Sequence, residues 1–335
     1  MTLRVGIIGA GNMGRTHAEN LKQDARVQIV GISDVVPAKA QDLAAALGAR
    51  ALPSAEALLD ADVQAVYVTT PNTRHVPATL AALEKGIHVF CEKPMATSLG
   101  DARQVLAAAR ASRAVYQVGH NRRFAPVYRY LKDQIEAGFT PYLANAKQND
   151  GDWFNPPWIT DLSLTGGFLY ESTVHLLDML RWLMGEVVSV QARAKANVYD
   201  VLNDFAILLT FEGERYAVLS SSAHASWAFP FEHLEVVGEH ALIRSEELTR
   251  VVHSGGLAQQ VRILDYSQVP RADLWGYREE DERFVGACLA GDMPPAVGVE
   301  EAYKAIELCE ACYRSAAERG AAVALPLVEA ITAND

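Results

Sequence analysis

The amino-acid sequence predicts an α/β protein with two domains, a parallel sheet followed by a mainly antiparallel one. The chain has 335 residues, which is more than one ordinary hydrophobic core accommodates. Residues 1–120 alternate short apolar runs with helical patterns, whereas longer strand-like runs follow one another after about residue 120. We therefore predict a parallel α/β domain over residues 1–120 and a second, mainly antiparallel domain over residues 121–335.

The first domain is predicted from the alternation of strands and helices. Its apolar runs lack the polar alternation of a half-exposed strand, which is typical of a parallel sheet covered on both faces. The strand candidates are residues 4–8, 27–34, 65–70, 88–92 and 115–119, and the helix candidates are residues 13–23, 37–47, 75–85 and 98–111.

The second domain is predicted from strands joined by short turns. The runs 205–211 and 215–224 are separated by a turn at Glu212-Gly213, which is typical of a β-hairpin. The other strand candidates are residues 187–195 and 233–245. Helical patterns cover residues 124–137, 168–184, 279–290 and 300–319, and residues 139–160 are predicted to form a long connection.

Composition excludes several classes of partner. A net charge of −11 disfavours nucleic acid and anionic membranes, and it suits a small neutral substrate. No apolar run is long enough to span a membrane, and the apolar start is too short for a signal peptide. Four unevenly spaced cysteines favour a reducing, cytoplasmic location over a disulfide scaffold. Cys309 and Cys312 lie in a helical stretch without a second pair, so we expect core residues and no metal site.

The segment "GAGNMG" places three glycines between a strand and a helix. In this context the pattern indicates a dinucleotide site rather than an ordinary glycine-rich turn. Gly9 permits the tight turn, Gly11 lets a pyrophosphate approach the backbone, and Gly14 allows close helix packing. Asn12 and Met13 lie at the N-terminus of the following helix, whose free N–H groups favour phosphate. We expect all five residues to contact the cofactor.

The second strand ends at Asp34, twenty residues after Gly14. An acid at this position accepts hydrogen bonds from the adenosine ribose and repels a 2′-phosphate. No arginine lies between Ser33 and Lys39 to bind such a phosphate. The sequence therefore predicts NAD over NADP, although Asp34 could also serve as a cap or turn residue.

Polar residues follow three further strands, at the edge where an open α/β sheet binds its ligands. We expect the cofactor to contact Thr70, Pro71, Asn72, His75, Glu92, Lys93 and Arg123, and the substrate to contact Arg122. One polar strand end would be unremarkable, but three of them beside a dinucleotide turn indicate a ligand-binding cleft lined by polar side chains. A helix-capping role for His75 and a solvated loop for Glu92 and Lys93 are the alternatives.

An otherwise apolar helix carries a polar stripe. Glu171, His175 and Asp178 are spaced i, i+4 and i+7, so they lie on one face. A helix that is apolar nearly all round is buried, and buried ionisable groups must be paired or used. Because the stripe follows Gly166-Gly167, which permits close backbone approach, we favour a site over a Glu–His pair in a core.

The segments "GAGNMG", "TTPNTRH", "CEKP", "NRRF" and "GGFLYESTVHLLD" occur in this order along nearly the whole chain. Together they resemble the glucose–fructose oxidoreductase / inositol dehydrogenase / MocA-like family. The resemblance implies a Rossmann domain, then an α/β domain with a large open, mainly antiparallel sheet. It also implies oxidation or reduction of sugars, cyclitols and related polyols with NAD(P) and without a metal.

The resemblance also implies roles for individual residues. Lys93 matches the family's catalytic lysine, preceding a proline in a cis peptide bond, and Glu171 and His175 match its partners. The family usually has Asp four residues before the histidine, and Glu171 is one methylene longer. Asp178 matches a position that binds a substrate hydroxyl or orients the histidine.

From these observations we expect an NAD-dependent dehydrogenase that oxidises a secondary hydroxyl of a cyclitol or sugar. Either Lys93 or His175 takes the hydroxyl proton while the other holds the oxygen, and Glu171 orients His175. The expected substrate contacts are Lys93, Arg122, Asp152, Trp153, Asn155, His175, Asp178 and Tyr277. An inositol is the first choice of substrate, followed by an aldose or anhydro-sugar. An NADP-linked reductase of another carbonyl compound and a non-catalytic NAD(H) sensor are the alternatives, and a homodimer or homotetramer is expected.

Overall fold

The computed structural model describes residues 2–151, 157–226, 231–291 and 293–327. The chain divides into two compact units. The first unit comprises Met1–Tyr128, Asp161–Gly166 and Gln268–Ile306, and the second comprises Arg129–Thr160, Gly167–Ser267 and Glu307–Asp335. This division differs from the predicted boundary at residue 120, because Gln268–Ile306 packs with the N-terminal part of the chain.

The first unit contains a six-stranded sheet in which every described pair of neighbours is parallel. Its strands are β1 (Leu3–Ile8), β2 (Val27–Ser33), β3 (Arg50–Leu52), β4 (Ala65–Val68), β5 (His88–Glu92) and β6 (Tyr116–Gly119). The order is β3-β2-β1-β4-β5-β6. The chain direction of the crossovers reverses between β1 and β4, which is where such sheets bind ligands at their carboxyl edge.

Helices connect the strands of the first unit. They are α1 (Asn12–Lys22), α2 (Pro37–Leu47), α3 (Ala55–Leu59), α4 (His75–Glu84) and α5 (Leu99–Ala111). α6 (Pro126–Glu136) follows β6, and its residues from Arg129 onward belong to the second unit. Later segments add α7 (Leu162–Thr165), α9 (Arg271–Leu274) and α10 (Tyr277–Ala290). Sequence reasoning missed β3 and α3, because elements of three and five residues are too short to show a period.

Aromatic rings form the centre of the first unit's core. Tyr67 on β4 and Phe90 on β5 stack with ring centroids 4.6 Å apart. Phe284 of α10 packs edge-on against both rings, at 5.4 and 5.6 Å. All three side chains are fully buried. A helix from the C-terminal third of the chain is therefore part of the same core as β4 and β5.

The second unit contains a nine-stranded sheet, which confirms the prediction of a large, mainly antiparallel sheet. Its strands are β7 (Leu143–Asn149), β8 (Val187–Lys195), β9 (Asp204–Phe211), β10 (Arg215–Ser222), β11 (Glu232–Gly238), β12 (Ala241–Glu246), β13 (Arg250–Ser254), β14 (Arg262–Asp265) and β15 (Val323–Ala324). The order is β14-β13-β12-β11-β7-β10-β9-β8-β15, and among the described strands of this sheet only β7 and β10 pair in parallel.

Two sequence-based assignments in this sheet were wrong. The stretch 139–160, predicted as a connection, contains β7, whose sequence "LANAKQN" has no β-branched or aromatic residue. Strand pairing on both sides, with β10 and β11, stabilises it instead of its own propensity. The run 233–245 is two strands, β11 and β12, joined by a turn in which His240 has a φ of +55°. Strands β13, β14 and β15 were also not predicted.

The predicted helix 168–184 consists of two parts. A π-helical turn covers Leu169–Thr173, and α8 follows over Val174–Met184. The preceding Gly166 and Gly167 have φ values of +77° and +120°, and a Cβ on Gly166 would lie 2.5 Å from Thr97 Cβ. Glycine is therefore required there for conformation as well as for close approach.

The last long helix, α11 (Val299–Ala317), carries the Cys-x-x-Cys segment. Cys309 and Cys312 are both buried, and burial raises the pKa of each thiol. They pack as small apolar side chains, in agreement with the sequence prediction. Among the described helices, none combines the length and apolar character needed to cross a membrane.

Candidate active site

The glycine turn between β1 and α1 is held by close backbone packing. Gly9 has a φ of +104°, and a Cβ there would lie 2.6 Å from the Thr69 carbonyl oxygen. A Cβ on Gly14 would lie only 2.0 Å from the Gly9 carbonyl oxygen. The Thr69 hydroxyl donates to that same carbonyl at 2.7 Å. Both positions therefore require glycine, and the end of β4 fixes the shape of the turn.

Gly11 has a different reason for lacking a side chain. A Cβ built at this position meets no atom within 4 Å, so the position faces open space. Gly11 is the N-cap of α1 and no side chain caps this helix end. The adjacent Asn12 is exposed and Met13 is half-buried. Open space before an uncapped helix N-terminus fits the diphosphate of a dinucleotide, which the N–H groups and the helix dipole attract.

Asp34 lies directly after β2 and is half-buried. Its Oδ2 accepts a hydrogen bond from the Ala10 N–H at 2.7 Å, and its Oδ1 accepts one from the Val36 N–H at 2.8 Å. The carboxylate therefore joins the glycine turn to the end of β2. Each carboxylate oxygen has a second lone pair, so this structural role is compatible with accepting ribose hydroxyls.

Lys93 follows the last residue of β5 and its side chain is half-buried. The Lys93–Pro94 peptide bond is cis, as the family resemblance implies. The backbone N–H of Lys93 donates to Oε2 of Glu92 at 3.0 Å, and Glu92 is only 5% exposed. Parallel strands end at one edge of the sheet, so Lys93 lies at the same edge as the glycine turn.

His75 begins α4 and is buried beneath this edge. Its Nδ1 lies 2.7 Å from the Pro94 carbonyl oxygen and its Nε2 lies 2.8 Å from the Thr70 carbonyl oxygen. Carbonyl oxygens only accept hydrogen bonds, so both nitrogens must donate and the ring is an imidazolium. Burial by itself lowers the pKa of His75, but the neighbouring Cys91 and the two carbonyl acceptors raise it to about 9. His75 thus joins the ends of β4 and β5 through their backbone.

The remaining polar candidates of the first unit have structural contacts of their own. Asn72 is buried and donates to the Thr165 carbonyl oxygen at 3.0 Å. Arg123 is buried in an ion pair with Glu301 at 2.8 Å. Pro71, which directly precedes Asn72, is exposed. Contacts of these residues with a cofactor stay predictions.

Arg122 and Tyr277 lie beside the indole of Trp275. The Arg122 guanidinium is 4.5 Å from the Trp275 ring, and Tyr277 stacks on the same ring at a centroid distance of 6.4 Å. Burial raises the pKa of the Tyr277 hydroxyl to about 12. The predicted substrate contacts Arg122 and Tyr277 are thus brought together by a tryptophan that sequence reasoning did not single out.

Sequence reasoning also missed a buried ionic group beneath Lys93. His17 of α1 lies 2.8 Å from Glu92 Oε1 through Nε2 and 2.7 Å from Asp281 Oδ1 through Nδ1. Asn20 donates to the other Asp281 oxygen at 2.9 Å. His17 is three residues after Gly14, on the buried side of α1, so its position could have raised suspicion. Asp281 is 264 residues from His17, and no local pattern indicates this pairing.

The polar stripe of the second unit lies at the start of α8. Glu171 lies in the π-helical turn, Glu171 and His175 are half-buried, and Asp178 is 1% exposed. The turn is held by β7, because Gln148 Nε2 donates to the Ser172 hydroxyl at 2.6 Å. π-Helical turns are frequent at functional sites because they shift side chains relative to a regular α-helix.

Three predicted substrate contacts fall outside the described residues. They are Asp152, Trp153 and Asn155.

The fold and the glycine turn of the first unit are those of a dinucleotide-binding α/β protein. The comparison with known families agrees. Residues 3–120 match the GFO_IDH_MocA model, described as "Oxidoreductase family, NAD-binding Rossmann fold", and residues 128–244 match the GFO/IDH/MocA C-terminal domain. The chain belongs to the GFO/IDH/MocA family.

Individual relatives cover most of the chain. Inositol 2-dehydrogenase 3 of Saccharopolyspora erythraea is 34% identical over 280 residues, or 80% of each chain. Myo-inositol 2-dehydrogenase of Thermotoga maritima is 28% identical over 331 residues, or 95% of this chain and 97% of the relative. The crystal structure of GenD2 from gentamicin A biosynthesis, in complex with NAD, superposes with a TM-score of 0.82 at 26% identity and covers 97% of both chains.

These findings confirm three predictions: the fold class, the family and the enzymatic character. The chain is an oxidoreductase with an NAD-binding Rossmann domain. The glycine turn fits that cofactor on the geometry given above.

The charge state of His75 leads to a prediction about stability and pH. Its pKa is about 9 in the folded protein against an ordinary value of 6.5, so protonation favours folding. This contribution is fully present below pH 6.5 and is lost as the pH rises to about 9. We expect the free-energy difference of unfolding between wild type and His75→Gln to shrink over this window by up to about 1.4 kcal/mol per pH unit. Urea unfolding of both proteins at a series of pH values measures this free-energy difference.

His88→Gln provides a control of opposite sign. His88 is half-buried at the start of β5, its Nδ1 accepts the Val115 N–H at 2.8 Å, and burial lowers its pKa below 6.5. Its contribution is present above pH 6.5 and is lost as the pH falls. A His75→Gln difference that is constant between about pH 6 and pH 9 would contradict an imidazolium at His75.

Proposed function

We propose that this protein is an NAD-dependent dehydrogenase that oxidises a secondary hydroxyl of a cyclitol, with an inositol as the first candidate. The main support is the position of Lys93, held at the carboxyl end of β5 on the same sheet edge as the glycine turn. Relatives named inositol dehydrogenases extend over most of the chain and support the substrate class. The net charge of −11 agrees with a neutral polyol.

The cofactor proposal is NAD rather than NADP. The backbone at Gly11 and the N-terminus of α1 would hold the diphosphate, and Asp34 would accept hydrogen bonds from the adenosine ribose. Two backbone N–H groups fix the Asp34 carboxylate, so it cannot turn away from a 2′-phosphate at low cost. A nicotinamide bound there would supply the acceptor for the hydride of the carbon that carries the substrate hydroxyl.

The acid–base proposal concerns Lys93 and His175. Oxidation of an alcohol requires removal of the hydroxyl proton as the hydride leaves, and a positioned side chain accelerates this step. One of the two residues takes the proton, and the other donates a hydrogen bond to the substrate oxygen. Glu171 orients His175 from the preceding turn of the helix, and Asp178 accepts a hydrogen bond from a further substrate hydroxyl.

The substrate proposal is tested with a panel of inositols, aldoses, anhydro-sugars and acyclic polyols, each with NAD and with NADP. We expect reduced nicotinamide to accumulate with at least one cyclitol, and faster with NAD than with NADP. Absorbance of the reduced cofactor provides the measurement. If only an aldose or anhydro-sugar were oxidised, that class would replace cyclitols as the proposed substrate. NAD binding without turnover of any compound would favour a non-catalytic NAD(H) sensor.

The role of Lys93 is tested by Lys93→Ala. We expect turnover to fall by at least about 100-fold, the scale of a lost acid–base group, while NAD affinity is retained. Lys85→Ala is the matched control, because Lys85 is an exposed lysine paired only with Asp60 among its described contacts. Steady-state kinetics and calorimetric NAD titration measure the two quantities. A Lys93→Ala variant with wild-type turnover would refute the mechanism.

We also propose that the outer face of the second unit's sheet forms a subunit contact. Along β10, Ala217 and Leu219 are fully buried, whereas Tyr216 and Val218 on the opposite face are 44% and 46% exposed. Leu143 of β7 lies in register with Tyr216 and is also exposed. Apolar residues on one face of an open sheet indicate an interaction surface.

Substitution of this face should change the oligomeric state. We expect wild type to be a dimer or tetramer and Val218→Arg to be smaller, because a buried unpaired charge opposes association. Leu257→Arg is the control, since Leu257 is 82% exposed in the turn between β13 and β14. Light scattering after size-exclusion chromatography measures the mass. An unchanged mass for Val218→Arg would exclude this face.

A further inference from the structure

His17, Glu92 and Asp281 form a buried ionic group in the first unit. Their exposed fractions are 0%, 5% and 3%. Both ring nitrogens of His17 lie within hydrogen-bond distance of a carboxylate oxygen, at 2.8 Å to Glu92 and 2.7 Å to Asp281. Ionised carboxylates only accept hydrogen bonds, so both nitrogens donate and His17 is an imidazolium.

The charges of this group agree with that geometry. Burial by itself lowers the pKa of His17, but the carboxylates of Asp281 and Glu92 raise it well above its usual range. Burial by itself raises the pKa of Glu92, but the hydrogen bond and charge of His17, with the charges of Lys93 and His75, lower it. The His17 ring thus pairs with two buried carboxylates.

Glu92 connects this group to the backbone of Lys93. Its Oε1 faces His17, and its Oε2 accepts the Lys93 N–H at 3.0 Å. Gly119 of β6 is the register partner of Glu92, and a Cβ there would lie 3.3 Å from Glu92 Oε2. Glycine at this position leaves room for the carboxylate to turn toward Lys93. The orientation of Glu92, and with it the start of the Lys93 segment, therefore depends on His17.

We propose that His17 is a positioning residue for Lys93, acting through the Glu92 carboxylate, and that Asp281 holds the His17 ring in place. The proposal deepens the function given above and rests on it insofar as Lys93 is the acid–base residue. The proposal gives α1 a second role in the reaction, through His17, besides the role of its N-terminus. It also gives α10 a role, through Asp281.

A metal site is the rival interpretation of the same residues. Ligand atoms of His17, Glu92 and Glu280 lie within 4.8 Å of one another. Tetrahedral ligands at about 2.0–2.1 Å from zinc are about 3.4 Å apart, whereas His17 Nε2 and Glu92 Oε1 are 2.8 Å apart. Burial, together with the charges of Glu92 and Asp281, raises the pKa of Glu280 well above its usual range, which disfavours the ionised form that a metal ligand requires. These distances and charges favour a hydrogen-bonded group.

Two substitutions of His17 separate its contacts. In His17→Gln the side-chain amide nitrogen takes the place of Nε2 and keeps a donor toward Glu92. In His17→Asn the amide nitrogen takes the place of Nδ1 and keeps a donor toward Asp281. Each variant loses one buried hydrogen bond to a carboxylate, so the two should be destabilised to a similar degree, but only one loses the contact that leads to Lys93.

We expect His17→Asn to lower kcat by about 10- to 100-fold, the scale of a small misplacement of a catalytic group, with little change in KM for NAD. We expect His17→Gln to keep kcat within about threefold of wild type. Glu92→Gln, which cannot accept from both His17 and the Lys93 N–H, should reproduce the loss in His17→Asn. Equal kcat values for the two His17 variants, or losses that follow only their melting temperatures, would overturn the proposal.

A second measurement is independent of turnover. Hydrogen exchange of the peptide containing the Lys93 amide should accelerate in His17→Asn and stay at the wild-type rate in His17→Gln. If wild type oxidises no substrate in the panel, the proposed function fails and this exchange measurement still decides the role of His17. Unchanged exchange of this peptide in His17→Asn would overturn the positioning role of His17. The role would also be overturned if purified wild type contained a stoichiometric divalent cation and its removal by a chelator accelerated the exchange.

Discussion

The first unit is organised around a negative charge carried into its core. After its first residue, His88, β5 is apolar until Glu92, which is 5% exposed. Burial raises the pKa of Glu92, but the hydrogen bond and charge of His17 lower it. An unpaired buried carboxylate would cost several kcal/mol, comparable to the whole stability of a domain. His17 of α1 and the Lys93 N–H supply the hydrogen bonds that this buried charge needs. This requirement couples the docking of α1 to the backbone that presents Lys93.

The same requirement explains why a late segment of the chain joins the first unit. α10 contributes Phe284 to the aromatic core and, three residues earlier, Asp281 to His17. Asp281 and Phe284 are three residues apart, so charge pairing and apolar packing use the same face of α10. On the other side of Lys93, the His75 imidazolium joins the Pro94 and Thr70 carbonyl groups. Two buried cations therefore stabilise the end of β5. His17 acts through the Glu92 side chain, and His75 acts through the Pro94 backbone carbonyl group.

Sequence reasoning succeeded where a function leaves a local pattern. The turn "GAGNMG", the acid at Asp34 and the polar end of β5 are each readable within a few residues, and the structure places all three at one sheet edge. It failed where pairing overrides propensity, as in β7, and where an element is too short to show a period, as in β3. The cytoplasmic location, the substrate and the residue roles stay predictions.

The parallel architecture of the first unit, the glycine turn and the residue types at the site are all readable from the sequence. Backbone conformation is the local reason, as the φ of +104° at Gly9 illustrates, whereas the close approach of Thr69 to Gly9 is visible only in the fold. The charge states of buried groups, and the partners to which they hydrogen-bond, depend instead on the folded structure. The pairing of His17 with Asp281 joins residues 264 positions apart, and the charge on His75 depends on two carbonyl groups supplied by different strands. Burial and partner geometry set such charges, and neither exists until the chain is folded.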